Sequence, residues 1–456
     1  MADMRKLKSV LAVIAAMSLL AGCGEKKTSE KNDTTEAVTT TAAETTETAT
    51  EGSGSAASEE ELIELSRKIL DDIANDNFKT ACDLFSKDLK DQLTEEMLIE
   101  GWQNIKDEGG KILNVKESRV ESEQGMTVVI TPIDFEKTDF DFLLAFNSEG
   151  GIDGIMFMYP QDNEIEPQVT ATFAETIVTV GEHELNGMLT MPKNAEKPPL
   201  VILIQGSGQH NMNEGIGELA TFNELAHGLA ERGIATLRYN KRFFQIPELQ
   251  GDGNYTIQDE VLDDADAAVK LAKSYVDEGK VSSIYVMGHS LGGCLAPTIA
   301  QKNSDVKGII SLAGTPRDLV EVIIDQLTAQ KEEASGDAAK NSVQKSLDDA
   351  AVMKEGNDES AFLLGWGYKY YNSLRELKVG ETVKSLDIPM LFLQGDADIQ
   401  VYPDKDFPLW KEYLDGKANC TFKLYEGLGH FFDDEDGHFN KQVMDDTAEF
   451  IKNSEK

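Results

Sequence analysis

Gly288-x-Ser290-x-Gly292 stands between an apolar run, Ile284 to Met287, and a helix-compatible run, Leu291 to Ala300. A strand that must become a helix within a few residues forces the corner residue, Ser290, into a strained backbone conformation. Side chains two positions to either side would collide with neighbouring backbone, and glycine at 288 and 292 removes them. The same turn presents the backbone N–H of Leu291 at a helix N-terminus, where it can face an oxygen gaining negative charge. This suits nucleophilic attack on an acyl carbon. A serine hydroxyl is a weak nucleophile alone, so it requires a base that takes its proton and an acid that orients that base. Carboxylates for the second role stand in Leu393-Gln394-Gly395-Asp396-Ala397-Asp398, at the C-terminal end of an apolar strand, where open α/β sheets place ligand chemistry. Asp396 and Asp398 are both candidates, since one of the two can serve as a turn cap.

The elements that must position these residues are legible from Gln168 onward. Thr172 to Val180 and Leu185 to Met191, joined across Gly181-Glu182-His183-Glu184, read as an antiparallel hairpin. Near-continuous apolar runs follow at 200–204, 234–239, 284–287, 308–312 and 389–393, with helical patterns between several of them. Apolar strands alternating with helices imply a parallel sheet covered on both faces. Thr421 to Tyr425 alternates instead, as an edge strand does. Upstream, Ser58-Glu59-Glu60-Glu61 marks a helix start, with Leu62, Leu65, Ile69 and Ile73 at helical spacing. Further helix signals lie at Phe78 to Phe85 and Thr94 to Trp102. After Gly109-Gly110 come four strand patterns: Lys111 to Val120, Thr127 to Ile133, Phe140 to Phe146 and Ile152 to Tyr159. Helices followed by strands suggest a small α+β domain. Its segment Asp76-x-Phe78-x-x-Ala81-x-x-Leu84-Phe85, with Leu93-Thr94 and Gly101-Trp102, resembles NTF2-like domains that precede hydrolases in exported bacterial proteins.

At 456 residues and 40% hydrophobic, the chain is long enough for two domains with real cores. A formal charge of −39 excludes charge-driven binding to nucleic acid or to an anionic membrane surface. Arg5, Lys6 and Lys8 precede an apolar run, Val10 to Ala21, too short for a stable membrane span. It ends in Leu20-Ala21-Gly22-Cys23, which resembles the lipobox of bacterial lipoproteins. That resemblance implies cleavage before Cys23, lipidation of its thiol and attachment to the outer face of a bacterial membrane. Residues 24–57, rich in Thr, Glu, Ala, Ser and Gly, cannot offset their ordering entropy and read as a disordered tether. The remaining cysteines, Cys82, Cys294 and Cys420, lie far apart, so neither a zinc site nor a disulfide framework is expected.

From about 168 to 452 the chain resembles the α/β-hydrolase superfamily, in the branch of dienelactone hydrolases and serine aminopeptidase-like esterases. The motifs that carry this are Gly206-Ser207-Gly208, Leu237-Arg238-Tyr239-Asn240-Lys241-Arg242, Gly288-His289-Ser290-Leu291-Gly292-Gly293, Gly395-Asp396-Ala397-Asp398 and Gly429-His430. Asn240 and Phe243 stand where relatives often carry Asp and Gly. The superfamily's chain order is serine, acid, histidine. Two histidines follow Ser290: His430, in the glycine-flexed Gly427-Leu428-Gly429-His430-Phe431, and His438, in the charged run Asp433-Asp434-Glu435-Asp436-Gly437-His438. His430 is therefore the expected base. That acidic run lacks the Asp-x-Asp-x-Asp-Gly spacing of a calcium loop and reads as solvated surface. The resemblance also places the acid third after its glycine, which favours Asp398 with Asp396 as fallback. It takes a second oxyanion donor from the loop after an early strand, here the N–H of Ser207, then that of Gly208. A helical cap is expected at about 316–385, in which Trp366, Tyr368, Tyr370 and Tyr371 either line a substrate pocket or pack the cap onto the sheet.

The expected organisation is a signal peptide over 1–23, a tether over 24–57, a small α+β NTF2-like domain over 58–162 and a hydrolase domain over 168–456. The fold class is α/β, a doubly wound, mostly parallel sheet with a helical cap. The expected function is a membrane-tethered, extracytoplasmic serine hydrolase, a carboxylesterase acting on a small-molecule or glycan-linked acyl ester with no metal or organic cofactor. A peptidase or acyltransferase would use the same triad, and a non-catalytic envelope binding protein is the remaining alternative.

Overall fold

The computed structural model describes residues 58–90, 93–123, 126–147, 150–158, 160, 165–216, 219–250, 255–334, 336–434 and 436–456. The expected leader, Cys23 and the tether lie outside the described residues.

The first unit opens with helix α1 (Glu59–Ala74), whose start is fixed reciprocally: Ser58 Oγ accepts from the Glu61 N–H and the Glu61 carboxylate accepts from the Ser58 N–H. Helices α2 (Phe78–Asp83), α3 (Lys87–Lys90) and α4 (Glu95–Gly109) follow. Five strands then form one antiparallel sheet: β1 (Ile112–Val115), β2 (Arg119–Glu123), β3 (Met126–Phe135), β4 (Phe140–Phe146) and β5 (Ile152–Met158), in the order β1-β3-β4-β5 with β2 also on β3. The single strand expected over 111–120 is thus two. The long β3 pairs β2 along its first half and β1 along its last residues, and the chain breaks between them where Ser118 Oγ bonds Thr131 Oγ1 at 2.8 Å. Ile69, Ile73, Trp102, Phe142 and Phe146 close a core between the helices and this sheet.

The second unit is an eight-stranded sheet in the order β17-β16-β13-β12-β8-β11-β7-β6. Its strands are β6 (Phe173–Val180), β7 (Leu185–Pro192), β8 (Leu200–Ile204), β11 (Ala235–Tyr239), β12 (Ile284–His289), β13 (Val306–Leu312), β16 (Met390–Gly395) and β17 (Cys420–Tyr425). The two-residue strands β9 (Gly215–Ile216) with β10 (Leu219–Ala220), and β14 (Phe362–Leu363) with β15 (Trp366–Gly367), form small ribbons outside it. From β11 to β17 every pairing in the large sheet is parallel, and the β6–β7 hairpin joins β11 antiparallel. The central strands are buried along their whole length, because helices cover both faces. These include α5 (Thr221–Glu231), the short α6 (Arg242–Gln245), α7 (Asp263–Asp277) and α8 (Leu291–Lys302). Between β13 and β16 the cap contributes α9 (Leu319–Glu333), α10 (Gly336–Glu355), α11 (Tyr368–Glu376) and α12 (Val379–Lys384). Helix α13 (Asp406–Tyr413) links β16 to β17, and α14 (Lys441–Ser454) ends the chain. Ser207, Ser290, Asp398 and His430 all fall just past the C-terminal ends of β8, β12, β16 and β17, which places them on one rim.

Candidate active site

Ser290 has φ 52° and ψ −115°, a conformation L-residues rarely adopt, and its N–H donates to Leu312 O at 2.8 Å. The need for glycine around it is steric. A Cβ on Gly288 would stand 2.0 Å from Gly292 O, and one on Gly292 would stand 2.1 Å from Ile204 O. Helix α8 starts at Leu291, whose N–H has no acceptor among the described residues.

Asp398 is 2% exposed and holds four donors: Gln394 Nε2 and His430 Nδ1 on Oδ2, both at 2.8 Å, and the N–H groups of Gln400 and Val401 on Oδ1 at 2.8 and 2.9 Å. Burial alone would raise its pKa, but the His430 imidazole and the two backbone donors outweigh burial and hold it below the usual carboxylate range. Asp396 does something else. It is exposed, and its Oδ1 accepts from the Gly427 N–H at 2.7 Å, tying two loops together. With Nδ1 of His430 donating to Asp398, Nε2 is left as the ring's acceptor. Ser290 and His430 line one cavity of about 380 Å³. No hydrogen bond joins them in this structure, and serine–histidine bonds of this kind tighten in the Michaelis complex.

The loop after β8 passes over the same cavity. A Cβ on Gly206 would lie 3.0 Å from Glu214 Oε1 and 3.3 Å from Ser290 Cβ, so glycine eases the close approach of that backbone. The N–H of Ser207 has no acceptor among the described residues, and Ser207, like Leu291, lines the cavity. Two unpaired N–H groups beside the Ser290 hydroxyl are what an oxyanion formed there would require.

Sequence reasoning missed the support behind these groups. Glu214 accepts from the Gly206 N–H and pairs with His289 Nδ1 at 3.1 Å. Burial pushes the Glu214 carboxyl up, but His289 outweighs it and keeps it low; burial lowers the His289 ring, and Glu214 outweighs that in turn. The His289 Nε2 donates to the backbone carbonyl of His430 at 3.0 Å, so the residue preceding the serine fixes the loop that carries His430. The one sequence signal was a histidine in an otherwise apolar strand end. Cys294, one helical turn past Ser290, also lines the cavity, and burial first, then Asp406, pushes its thiol up to about 12.

Of the four aromatic residues expected either to line a substrate pocket or to pack the cap, Trp366 lines the cavity. Tyr370 and Tyr371 are instead fully buried in the core under the cap: Tyr370 stacks on Trp366 at 5.4 Å and Tyr371 donates to Leu363 O at 3.0 Å. Tyr368 donates to Gly356 O at 3.2 Å within the cap. Helix α11 turns its aromatic stripe inward, and the cavity wall is supplied by Leu319, Val322 and Ile323 of α9. His438 is exposed, bonds Glu224 at 2.9 Å and is not among the residues that line the cavity. The described residues contain no cluster of metal-ligating side chains and no helix long and apolar enough to cross a membrane.

Residues 209–436 match the family described as serine aminopeptidase, S33. The chain belongs to this family of α/β hydrolases. Residues 66–155 match a second family, described as a protein of unknown function, DUF3887. The hydrolase is 31% identical over 397 residues to esterase EstD of Thermotoga maritima, an alignment covering 83% of this chain and 92% of that one. Among solved structures it is similar to Est1E from Butyrivibrio proteoclasticus (22% identity, TM-score 0.42, 61% of this chain and 98% of that one). It is also similar to an esterase from Pyrobaculum calidifontis (17% identity, TM-score 0.41, 63% and 87%).

Proposed function

We propose that this α/β-hydrolase esterase cleaves carboxylic esters through an acyl-enzyme on Ser290. His430 takes the serine proton as the hydroxyl attacks and passes it to the departing alkoxide; Asp398 holds the ring in the required tautomer. The N–H groups of Leu291 and Ser207 receive the oxyanion. Water, deprotonated by the same histidine, then releases the acid. The observation that carries this reading is the His430–Asp398 hydrogen bond at the rim where the strained Ser290 opens into the same cavity.

Ester rather than aminopeptide cleavage is favoured by the cavity itself. A free α-amino group needs an uncommitted carboxylate, and among the described residues the two carboxylates in the wall are already engaged, Glu214 with His289 and Asp318 with Arg375. The resemblance of Leu20-Ala21-Gly22-Cys23 to a lipobox supports a lipid anchor at Cys23, with the enzyme held at the outer face of a bacterial membrane.

The test is Ser290→Ala, assayed on p-nitrophenyl esters of increasing chain length. Loss of about four or more decades in kcat with unchanged thermal unfolding is expected. Hydrolysis that survives the change, or a folded enzyme that no fluorophosphonate labels, would end the triad reading.

A further inference from the structure

The motif after β11 ends in Asn240-Lys241-Arg242, three polar residues that are all buried. Lys241 is 4% exposed, and its Nζ makes two contacts: Glu260 Oε1 at 2.5 Å and the carbonyl oxygen of Gly206 at 2.9 Å. Glu260 is 3% exposed and sits in a π-helical turn, Gln258–Leu262, a form that often marks functional sites. A buried lysine–carboxylate pair is weak as a stabiliser, because desolvation offsets most of its attraction. Its position matters more.

The Gly206 carbonyl belongs to the same peptide plane as the Ser207 N–H. In a trans peptide these two bonds point in opposite directions. Lys241 grips the carbonyl from the buried side, so the N–H is turned the other way, toward the cavity that Ser207 lines. The flanking groups are tied as well: the Gly206 N–H to Glu214, and the Ser207 carbonyl to His210 Nε2 at 2.8 Å. In this run of four backbone groups only the Ser207 N–H is left unengaged among the described residues. A cation on the carbonyl also polarises the peptide and makes its N–H a stronger donor.

We infer that Lys241, held by Glu260, is a positioning residue that aims and strengthens the Ser207 N–H as an oxyanion donor. This rests on the acyl-enzyme reading and adds to it the part of the chain that sets the donor's direction. Tyr370 of α11 lies against Glu260, whose charge adds to burial in raising the phenol's pKa, so the cap is built onto the same pair.

Lys241→Met removes the donor at similar volume but strands Glu260 in the core. The double variant Lys241→Met/Glu260→Gln removes both charges and is the deciding protein. In both, kcat on p-nitrophenyl butyrate should fall about 10²-fold with KM within about twofold, the loss expected when an oxyanion donor is displaced. The inhibition constant for an alkyl trifluoromethyl ketone, which adds to the serine as a tetrahedral oxyanion, should rise by a similar factor. The acid limb of the kcat/KM profile should stay in place, since His430 and Asp398 are untouched. A folded double variant with kcat within threefold of the parent, or a loss carried by KM, or a ketone constant that does not move, overturns the inference. So does a double variant that cannot fold, which would assign the pair to the fold. Ser290→Ala measured alongside separates the two levels: if it is inactive while the double variant is not, only the role of Lys241 falls.

Discussion

Two aspartates two residues apart carry different duties, and their surroundings decide which. Asp398 is buried and gives one oxygen to His430, whereas Asp396 is exposed and accepts from Gly427. Asp398→Asn should lower kcat by about 10⁴-fold, because an amide in that place favours the wrong imidazole tautomer. Asp396→Asn should change kcat less than threefold; steady-state kinetics on one ester compares them. Ser290 was readable in the sequence because the elbow needs its glycines, and His430 because only two histidines follow that serine and it stands in the glycine-flexed one of their two segments. Choosing between the aspartates took the family's spacing, since both follow the same strand. Glu214 and Lys241 were illegible because their roles depend on which loops meet in space, which no local pattern records. The tyrosines stayed open between pocket and packing for a related reason: an aromatic stripe looks the same whether it faces a pocket or the core.

At the scale of elements, the hairpin β6–β7 is locked to the parallel sheet through one carboxylate. Glu175 on β6 accepts from Arg238 Nη1 on β11 at 3.0 Å, from Thr190 on β7 at 2.9 Å, and pairs with His227 on α5 at 3.0 Å. Burial would raise its pKa, but the His227 bond and the Arg238 charge bring it from 4.5 to about 2. A carboxylate with a lowered folded pKa stabilises the fold fully above its unfolded value, and that contribution disappears as pH falls from about 4.5 toward 2. The shift corresponds to about 3 kcal/mol. Glu175→Gln should therefore be less stable than the parent in urea at pH 7, with the gap narrowing by pH 3. A gap independent of pH would refute the assignment. Apolar strand runs announced these elements; the buried ion pairs that join them did not show, because their charges read as surface.

At the scale of the molecule, the two units keep separate cores. The buried clusters of the first unit are drawn from residues 62–152, and those of the second from residues 180–451. The switch from helices-then-strands to alternating strands and helices suggested that division in the sequence, while the cap took the family resemblance in addition to a long insertion between two strands. If Cys23 carries the lipid, Cys23→Ser in the full chain should move the enzyme from the membrane fraction to the soluble one with esterase activity intact. A variant still sedimenting with membranes would rule out that anchor. A net charge of −39 makes electrostatic adhesion to anionic lipid an unsuitable substitute.

The backbone at the corner between β12 and α8, φ 52° and ψ −115°, is comfortable only for glycine. Holding a side chain there stores of order 1–3 kcal/mol in every folded copy. Ser290→Gly should discard that burden and give a protein that withstands heating better than the working enzyme. Keeping a hydroxyl at this corner thus costs durability, and a chain without it would outlast the native one.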